Sequence, residues 1–327
     1  MNVIAAMIIL PIEGFLLAIA IDILLGEPRN YIHVGYISGT LSRLTSRIVK
    51  KMKNRRTAGK ISGILSILII LIPLSIIFYK IYTISSLNVL YVVLYAFVIT
   101  STFRITSFGS KLNPVLNYIE DGNLESAKIA LSMIIGMDVT ENTEEELNSR
   151  IMESIGNEFM EGVVGPLLYF MFIGMIGAIV YKIIATIRSQ YRNGDRNSVQ
   201  FSKFSEYSYE LLSAGSSVIS SGIILVSTFL LNYNVRKTPL TRIMPFSDIR
   251  NTGWVVGSLA TSLNLRIEIQ GEYILNGGGF NPKVADVRKA MRVYYLSTFI
   301  YIAFIVTPIF VIMLVLYALY NIPVMIL

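Results

Sequence analysis

The feature that most constrains this chain is its succession of apolar segments close to bilayer length. A spanning helix needs about 20 mostly apolar residues. Stretches of that kind run from Val3 to Leu25, Ile61 to Tyr79, Leu87 to Phe103, Val163 to Ile184, Leu211 to Tyr233 and Tyr294 to Leu319, with an apolar tail beyond. Of the 327 residues, 54% are apolar and only 15% charged, an unusual balance for a soluble globule. The expected fold class is therefore all-α: a polytopic integral membrane helical protein with cytoplasmic amphipathic helices. Residues 1–327 would form one membrane domain of five or six spans, with larger interfacial or cytoplasmic loops at 104–161 and 234–293. The expected location is the cell membrane, multi-pass, with the main functional loops cytoplasmic. The N-terminal apolar segment lacks a basic start and a small-residue cleavage site, so it reads as a retained helix rather than a signal peptide. No internal repeat suggests a solenoid or an inverted-repeat transporter.

Arg43, Arg47, Lys50, Lys51, Lys53, Arg55, Arg56 and Lys60 lie between the first and second spans with no acid among them, which places that loop in the cytoplasm. Strict alternation would then put Lys182, Arg188, Arg192, Arg196 and Lys203 outside, against the same rule. Gly162, Gly165, Gly174 and Gly177 punctuate the fourth apolar stretch, and Pro166 stands near its start. That stretch is either a true span or a glycine-broken re-entrant hairpin shielded by neighbouring helices. The net charge of +7 belongs to these loops, so the expected partner is membrane lipid and not nucleic acid.

With no cysteine and a single histidine, thiolate nucleophiles, Cys-ligated zinc and multi-His metal sites are excluded, and a Ser-His-Asp triad is disfavoured. A metal here would be a hard ion held by carboxylates and phosphate. Two loop segments read as helices. One runs from Leu124 to Met137 and is closed by Gly136. The other begins at Thr143, where Thr143 and Glu146 fit a capping box and Leu147, Ile151, Ile155 and Phe159 form an apolar stripe. Arg150, Glu153, Asn157 and Glu161 share a different face of that helix, which is expected to meet the membrane surface.

The candidate chemistry lies in charges beside apolar helices, where each charge is costly. Glu13 is deep in the first span, and Asp22, near its end, reads as close enough to the interface to be solvated. Gly26-Glu27-Pro28-Arg29 and His33 follow, a turn that could cradle a phosphate and its metal ion or simply be a well-capped loop. Asp138 follows a helix C-terminus, where the dipole disfavours an acid and calls for a compensating partner. Glu153 and Glu161, with Asn157 between them, are spaced to chelate a hard cation or orient an amine. Arg104 is an interfacial anchor or a phosphate clamp. Trp254, after Asn251 and Gly253 in an expected loop, is an interfacial aromatic or a flat surface for a large ring system. Gly277-Gly278-Gly279 is a flexible turn outside any nucleotide-loop context.

From about Asp22 to Arg292 the chain resembles the adenosylcobinamide-phosphate synthase family, the integral membrane cobalamin-biosynthesis proteins. Asp22 to Gly39 is similar to that family's segment of an aspartate, a Gly-Asp-Pro turn and a His-Pro, with Glu27 and Val34 substituted. Asp121-Gly122-Asn123-Leu124 and Gly136-Met137-Asp138 resemble its Gly-Asp-Leu helix and Gly-Arg-Asp motif. Glu153-Ser154 followed by Glu161-Gly162-Val163-Val164-Gly165-Pro166 resembles its most distinctive stretch. Asn251, Gly253, Trp254 and Tyr273 resemble its Ser-Pro-Asn-Ala-Gly-Trp segment and the Tyr beyond.

The resemblance implies an ATP- and Mg²⁺-dependent ligase that joins an aminoalkanol phosphate to adenosylcobyric acid as an amide, giving adenosylcobinamide phosphate. It implies Asp138, Glu153 and Glu161 as catalytic residues and Asp22 and Glu27 as metal ligands. His33 and Arg104 would bind phosphate, and Asn251 and Trp254 the corrinoid. Other cobalamin-pathway membrane enzymes would be partners. Charged motif positions depart from the pattern: Met137 replaces its Arg, Asn157-Glu158 invert its Glu-Asn, Ala185 and Arg188 replace an Asn and an Asp, Tyr209 to Leu211 lack its paired aspartates, and Ile249-Arg250 replace Ser-Pro. These departures keep open the alternative of a noncatalytic relative that serves as a membrane scaffold or partner of corrinoid enzymes.

Overall fold

The computed structural model describes residues 13–22, 88–192, 199–233, 250–269 and 272–312, with scattered positions at 24, between 68 and 80, and at 314–315. Among the described residues the chain is helical apart from one two-stranded hairpin. It divides into two compact units, one comprising Met1–Arg104, Pro166–Tyr209 and Ile302–Leu327, the other Ile105–Gly165 and Glu210–Tyr301.

The first unit contains helix α1 at 13–22, α2 (Asn88–Thr100), α6 (Gly165–Ile173, from its second residue), α7 (Met175–Arg192) and the start of α8 (Val199–Leu230). Its core is aromatic. Phe15 stacks on Phe170 at 4.8 Å and on Phe310 at 4.7 Å, and meets Phe103 edge-on at 6.2 Å, geometries that suit ring quadrupoles. The helices here come close because a glycine permits it: a Cβ on Gly14 would lie 2.6 Å from Tyr95 Cδ1.

The expected break in the fourth apolar stretch lies at Gly174, not at Gly162 or Gly165. Gly174 adopts a left-handed φ of 72° and caps α6, its N–H donating to Phe170 O at 2.8 Å. The chain then bends sharply, so that Tyr169 and Tyr181 stack at 5.3 Å, whereas twelve residues of straight helix would separate them by about 18 Å. Gly177 sits against the Tyr169 carbonyl, 2.6 Å from where its Cβ would be. At Gly162 and Gly165 the helix continues as a π-helical turn, Phe159–Val164.

Among the described residues, two helices are long and apolar enough to cross a membrane: Glu206–Leu230 within α8, and Val284–Ile312, which begins as α10 (Val284–Tyr301) and continues through a π-helical segment, Ile302–Val306. Val218, Val226, Phe229, Phe299, Phe304 and Val311 stand exposed on them. The described part of helix α2 spans 13 residues. Asp22 is buried, 2% exposed, which overturns its reading as a solvated end-of-helix charge.

In the second unit, α3 (Ser107–Glu120) and α4 (Leu124–Ile135) form a hairpin. Its turn uses Gly122 at φ 74°, and Asn123 caps α4 by accepting from Ser126 N–H at 3.1 Å. Gly136 closes α4 in the left-handed conformation, as the sequence predicts. Helix α5 (Glu144–Glu158) opens with the expected capping box, Thr143 N–H donating to Glu146 Oε2 at 2.8 Å and Thr143 Oγ1 accepting in return. Three acids in its first turn complement the helix dipole. The predicted stripe of Leu147, Ile151, Ile155 and Phe159 is fully buried.

Helix α5 is the axis of the unit, packed by α9 (Arg250–Ser262), α10 and strand β1. β1 (Ile267–Ile269) and β2 (Tyr273–Leu275) pair antiparallel, Ile267 opposite Leu275 and Ile269 opposite Tyr273. The segment around Trp254, expected as a loop, is therefore helix α9. Gly277-Gly278-Gly279 is a packing turn: Asn276 Nδ2 donates to Leu265 O at 3.0 Å, and a Cβ on Gly279 would lie 2.5 Å from Leu265 C.

Candidate functional site

The second unit gathers Asp138, Glu153, Glu161, Asn251 and Trp254 from the sequence-derived set. Asp22 and Arg104 belong to the first unit, and Glu27 and His33 lie outside the described residues. Arg104, half-buried, follows α2.

Helix α5 is packed on several sides, and Glu153 is enclosed by that packing. Glu153 is 6% exposed, and a carboxylate so far from water needs a counter-charge. Arg150, one turn earlier, provides it: Nη1 donates to Glu153 Oε2 at 3.2 Å, while Nη2 donates to Glu272 Oε1 at 2.9 Å. Glu272 precedes β2, so the hairpin contributes to the charge balance around Glu153. The i, i+3 spacing of Arg150 and Glu153 made their pairing readable, but nothing in the sequence signals Glu272.

The carboxyl end of α5 enters the π-helical turn, where Gly165 N–H donates to Met160 O, five residues back. Such turns are rare and often occur at functional sites. Here the turn lets Glu158 fold over Gly162: a Cβ on Gly162 would collide with Glu158 Oε1. Glu161, half-buried, lies on the same turn. Lys111 of α3 is electrostatically coupled to Glu158; burial pushes its ammonium below the usual range, and the Glu158 carboxylate opposes that shift. The turn is held from α10, whose Tyr301 hydroxyl donates to Val164 O at 3.2 Å and whose Tyr294 ring meets Phe159 edge-on at 6.2 Å.

Asp138 is exposed and accepts from Thr140 N–H at 3.0 Å and Thr140 Oγ1 at 2.7 Å. These bonds, the backbone N–H first, hold its carboxyl below the usual range. The partner it required after a helix C-terminus is thus the next turn of chain. Lys128 steadies that turn by donating to Thr140 O at 2.8 Å. Asn251 Nδ2 donates to Glu210 O at 2.6 Å and to Ser213 Oγ at 2.9 Å, tying α9 to α8. Trp254 is half-buried, one turn along α9.

No group of three or more His, Asp or Glu side chains placed to hold a metal ion occurs among the described residues. Glu153 is matched to the Arg150 guanidinium.

The sequence profile of the family described as CobD/Cbib protein matches residues 15–298, a range that takes in the second unit as far as Thr298. A probable cobalamin biosynthesis protein CobD of Thermoplasma volcanium is 36% identical over 296 residues, covering 90% of this chain and 96% of that protein. The protein of the same description from Thermoplasma acidophilum is 32% identical with the same coverage. The cobalamin biosynthesis protein CobD of Leptospira interrogans is 26% identical over 285 residues, 86% of this chain and 89% of its own length. No solved structure matches the chain.

Proposed function

The chain belongs to the CobD/Cbib protein family, and on that premise we propose that it is a multi-pass membrane enzyme of cobalamin biosynthesis that attaches an aminoalkanol phosphate to adenosylcobyric acid, forming adenosylcobinamide phosphate. The bond formed is an amide between a corrinoid carboxylate and the amine, with loss of water. ATP, with Mg²⁺ as its counter-ion, would make that condensation favourable. The carboxylates described here do not by themselves assemble a metal site, so the roles below are those of the protein's own side chains.

The observation that carries this reading is Glu153, a buried carboxylate held by Arg150 in the middle of the best-packed helix of the family-matched region. The amine enters as an ammonium and must lose a proton to become a nucleophile. Glu153 would accept that proton, as a positioned general base. Glu161, on the π-helical turn, and Asp138, kept ionised by Thr140, would attract the ammonium. His33 and Arg104 would neutralise the phosphate, Asn251 and Trp254 would face the corrinoid, and Asp22 and Glu27 remain the proposed metal-binding acids. A site beside the bilayer suits a bulky corrinoid handed between membrane-bound enzymes of the pathway. The test is Glu153→Gln in the full chain: synthase activity should fall at least a hundredfold while expression and insertion are kept. Normal activity would remove Glu153 from the chemistry.

A second reading, a noncatalytic scaffold for corrinoid enzymes, is favoured by one set of observations: Glu153, Asp138 and Asn251 each have partners inside the fold. It predicts that the wild-type chain forms no amide yet co-purifies with a pathway enzyme.

A further inference from the structure

Arg150 divides its guanidinium between two carboxylates that differ in setting. Glu153, on its own helix, has a side chain 8% exposed, whereas Glu272, 122 residues away, is 35% exposed. Arg150 itself is 12% exposed. A guanidinium is planar and rigid, so fixing one nitrogen on Glu272 fixes the direction from which the other nitrogen reaches Glu153. Arg150 reaches Glu153 through one nitrogen on one oxygen, without the two-point grip that a guanidinium can make with a single acid. Glu272 immediately precedes β2, whose partner β1 packs on α5. The hairpin is thereby braced against the helix that carries Glu153.

We propose that Arg150 and Glu272 are positioning residues for Glu153, with the hairpin carboxylate setting the angle at which the guanidinium presents the buried acid to substrate. This rests on the reading of Glu153 as the group that takes the ammonium proton. Glu272 touches no reacting group in this account and acts through Arg150. The β-hairpin is therefore part of the catalytic apparatus although it supplies no reacting group.

The test is a double-substitution cycle with the full-length protein in lipid nanodiscs, assayed with adenosylcobyric acid, aminopropanol phosphate and ATP. Glu272→Gln keeps the shape and removes the charge; Arg150→Lys keeps the charge and removes the fork. Each should lower kcat about tenfold, the scale of one charge-assisted hydrogen bond, with KM within about twofold. The double variant should be no slower than about tenfold, because both changes break the same linkage. Trp254 fluorescence confirms that each variant is folded at the assay temperature. An active wild type whose Glu272→Gln variant keeps full kcat, or whose double variant loses about a hundredfold, overturns the linkage alone. A folded, inserted wild type without synthase activity overturns the functional reading and this inference with it.

Discussion

Helix α5, which carries the buried Glu153, packs closely on α9, and Gly156 makes that approach possible. A Cβ at Gly156 would stand 3.0 Å from Val256 Cγ2 and 3.3 Å from Val256 Cα. Two effects oppose each other in Gly156→Ala. Replacing glycine in a helix interior gains about 1 kcal/mol of backbone entropy. Crowding a close-packed interface costs about 1–3 kcal/mol. Here one of the two crowded atoms is backbone and the other is a stiff β-branched methyl, so crowding wins by about 1 kcal/mol. Gly156→Val drives two further carbons toward the α9 backbone and should cost more than about 3 kcal/mol. Gly257 on α9 has nothing within 4 Å of its Cβ position, so Gly257→Ala keeps the gain and pays no crowding cost. The chain's single tryptophan, Trp254, is on α9, so thermal unfolding followed by its fluorescence reads this interface directly. A unit of this size shifts roughly 2–4 °C per kcal/mol. Gly257→Ala should therefore melt a few degrees higher than wild type, Gly156→Ala a few degrees lower, and Gly156→Val lower still. A Gly156→Ala protein as stable as Gly257→Ala would refute the close approach of α5 and α9.

Thr143→Ala removes the hydroxyl that accepts from Glu146 N–H and leaves the backbone half of the capping box, and should lower stability by about 1 kcal/mol in the same melting assay. Asp138 is held below the usual carboxylate range by Thr140, so its stabilising bonds are present above the ordinary aspartate pKa and lost as pH falls through the lower folded value; in Thr140→Val the Asp138 carboxyl should titrate at a higher pH, read by carboxylate NMR. Gly162→Ala should displace Glu158 from the π-helical turn and reduce synthase activity with the protein still inserted, checked by assay and membrane fractionation. If the bend at Gly174 returns the chain to the side it left, a cysteine introduced at Asn193 of this cysteine-free chain should resist an impermeant thiol reagent applied from outside; ready labelling would show a true span.

What the sequence made legible was local. The stripe on α5, the Thr143 cap and the Gly136 closure each depend on residues within a turn or two, and each is present. The site needed information that periodicity lacks. Glu272 meets Arg150 across 122 positions, and no spacing rule reaches that far. Glycines marked the fourth apolar stretch as irregular, yet only φ separates Gly174, which breaks the helix, from Gly162, which makes room for Glu158. Helix α9 was hidden because Thr252, Gly253 and Gly257 are weak helix formers that suit close packing better than propensity. Asp22 looked like a helix-end charge because burial is a property of neighbours, which the sequence around it does not contain.

The most direct test of the central claim is complementation. The chain would be expressed in cells lacking their own adenosylcobinamide-phosphate synthase, with cobyric acid supplied, alongside the Thermoplasma volcanium relative as a control for the host. Cobalamin should be restored by the wild-type chain and lost again with Glu153→Gln. A wild-type chain that inserts in the membrane but yields no cobalamin, in a host the relative does rescue, would contradict the enzyme assignment and leave the scaffold.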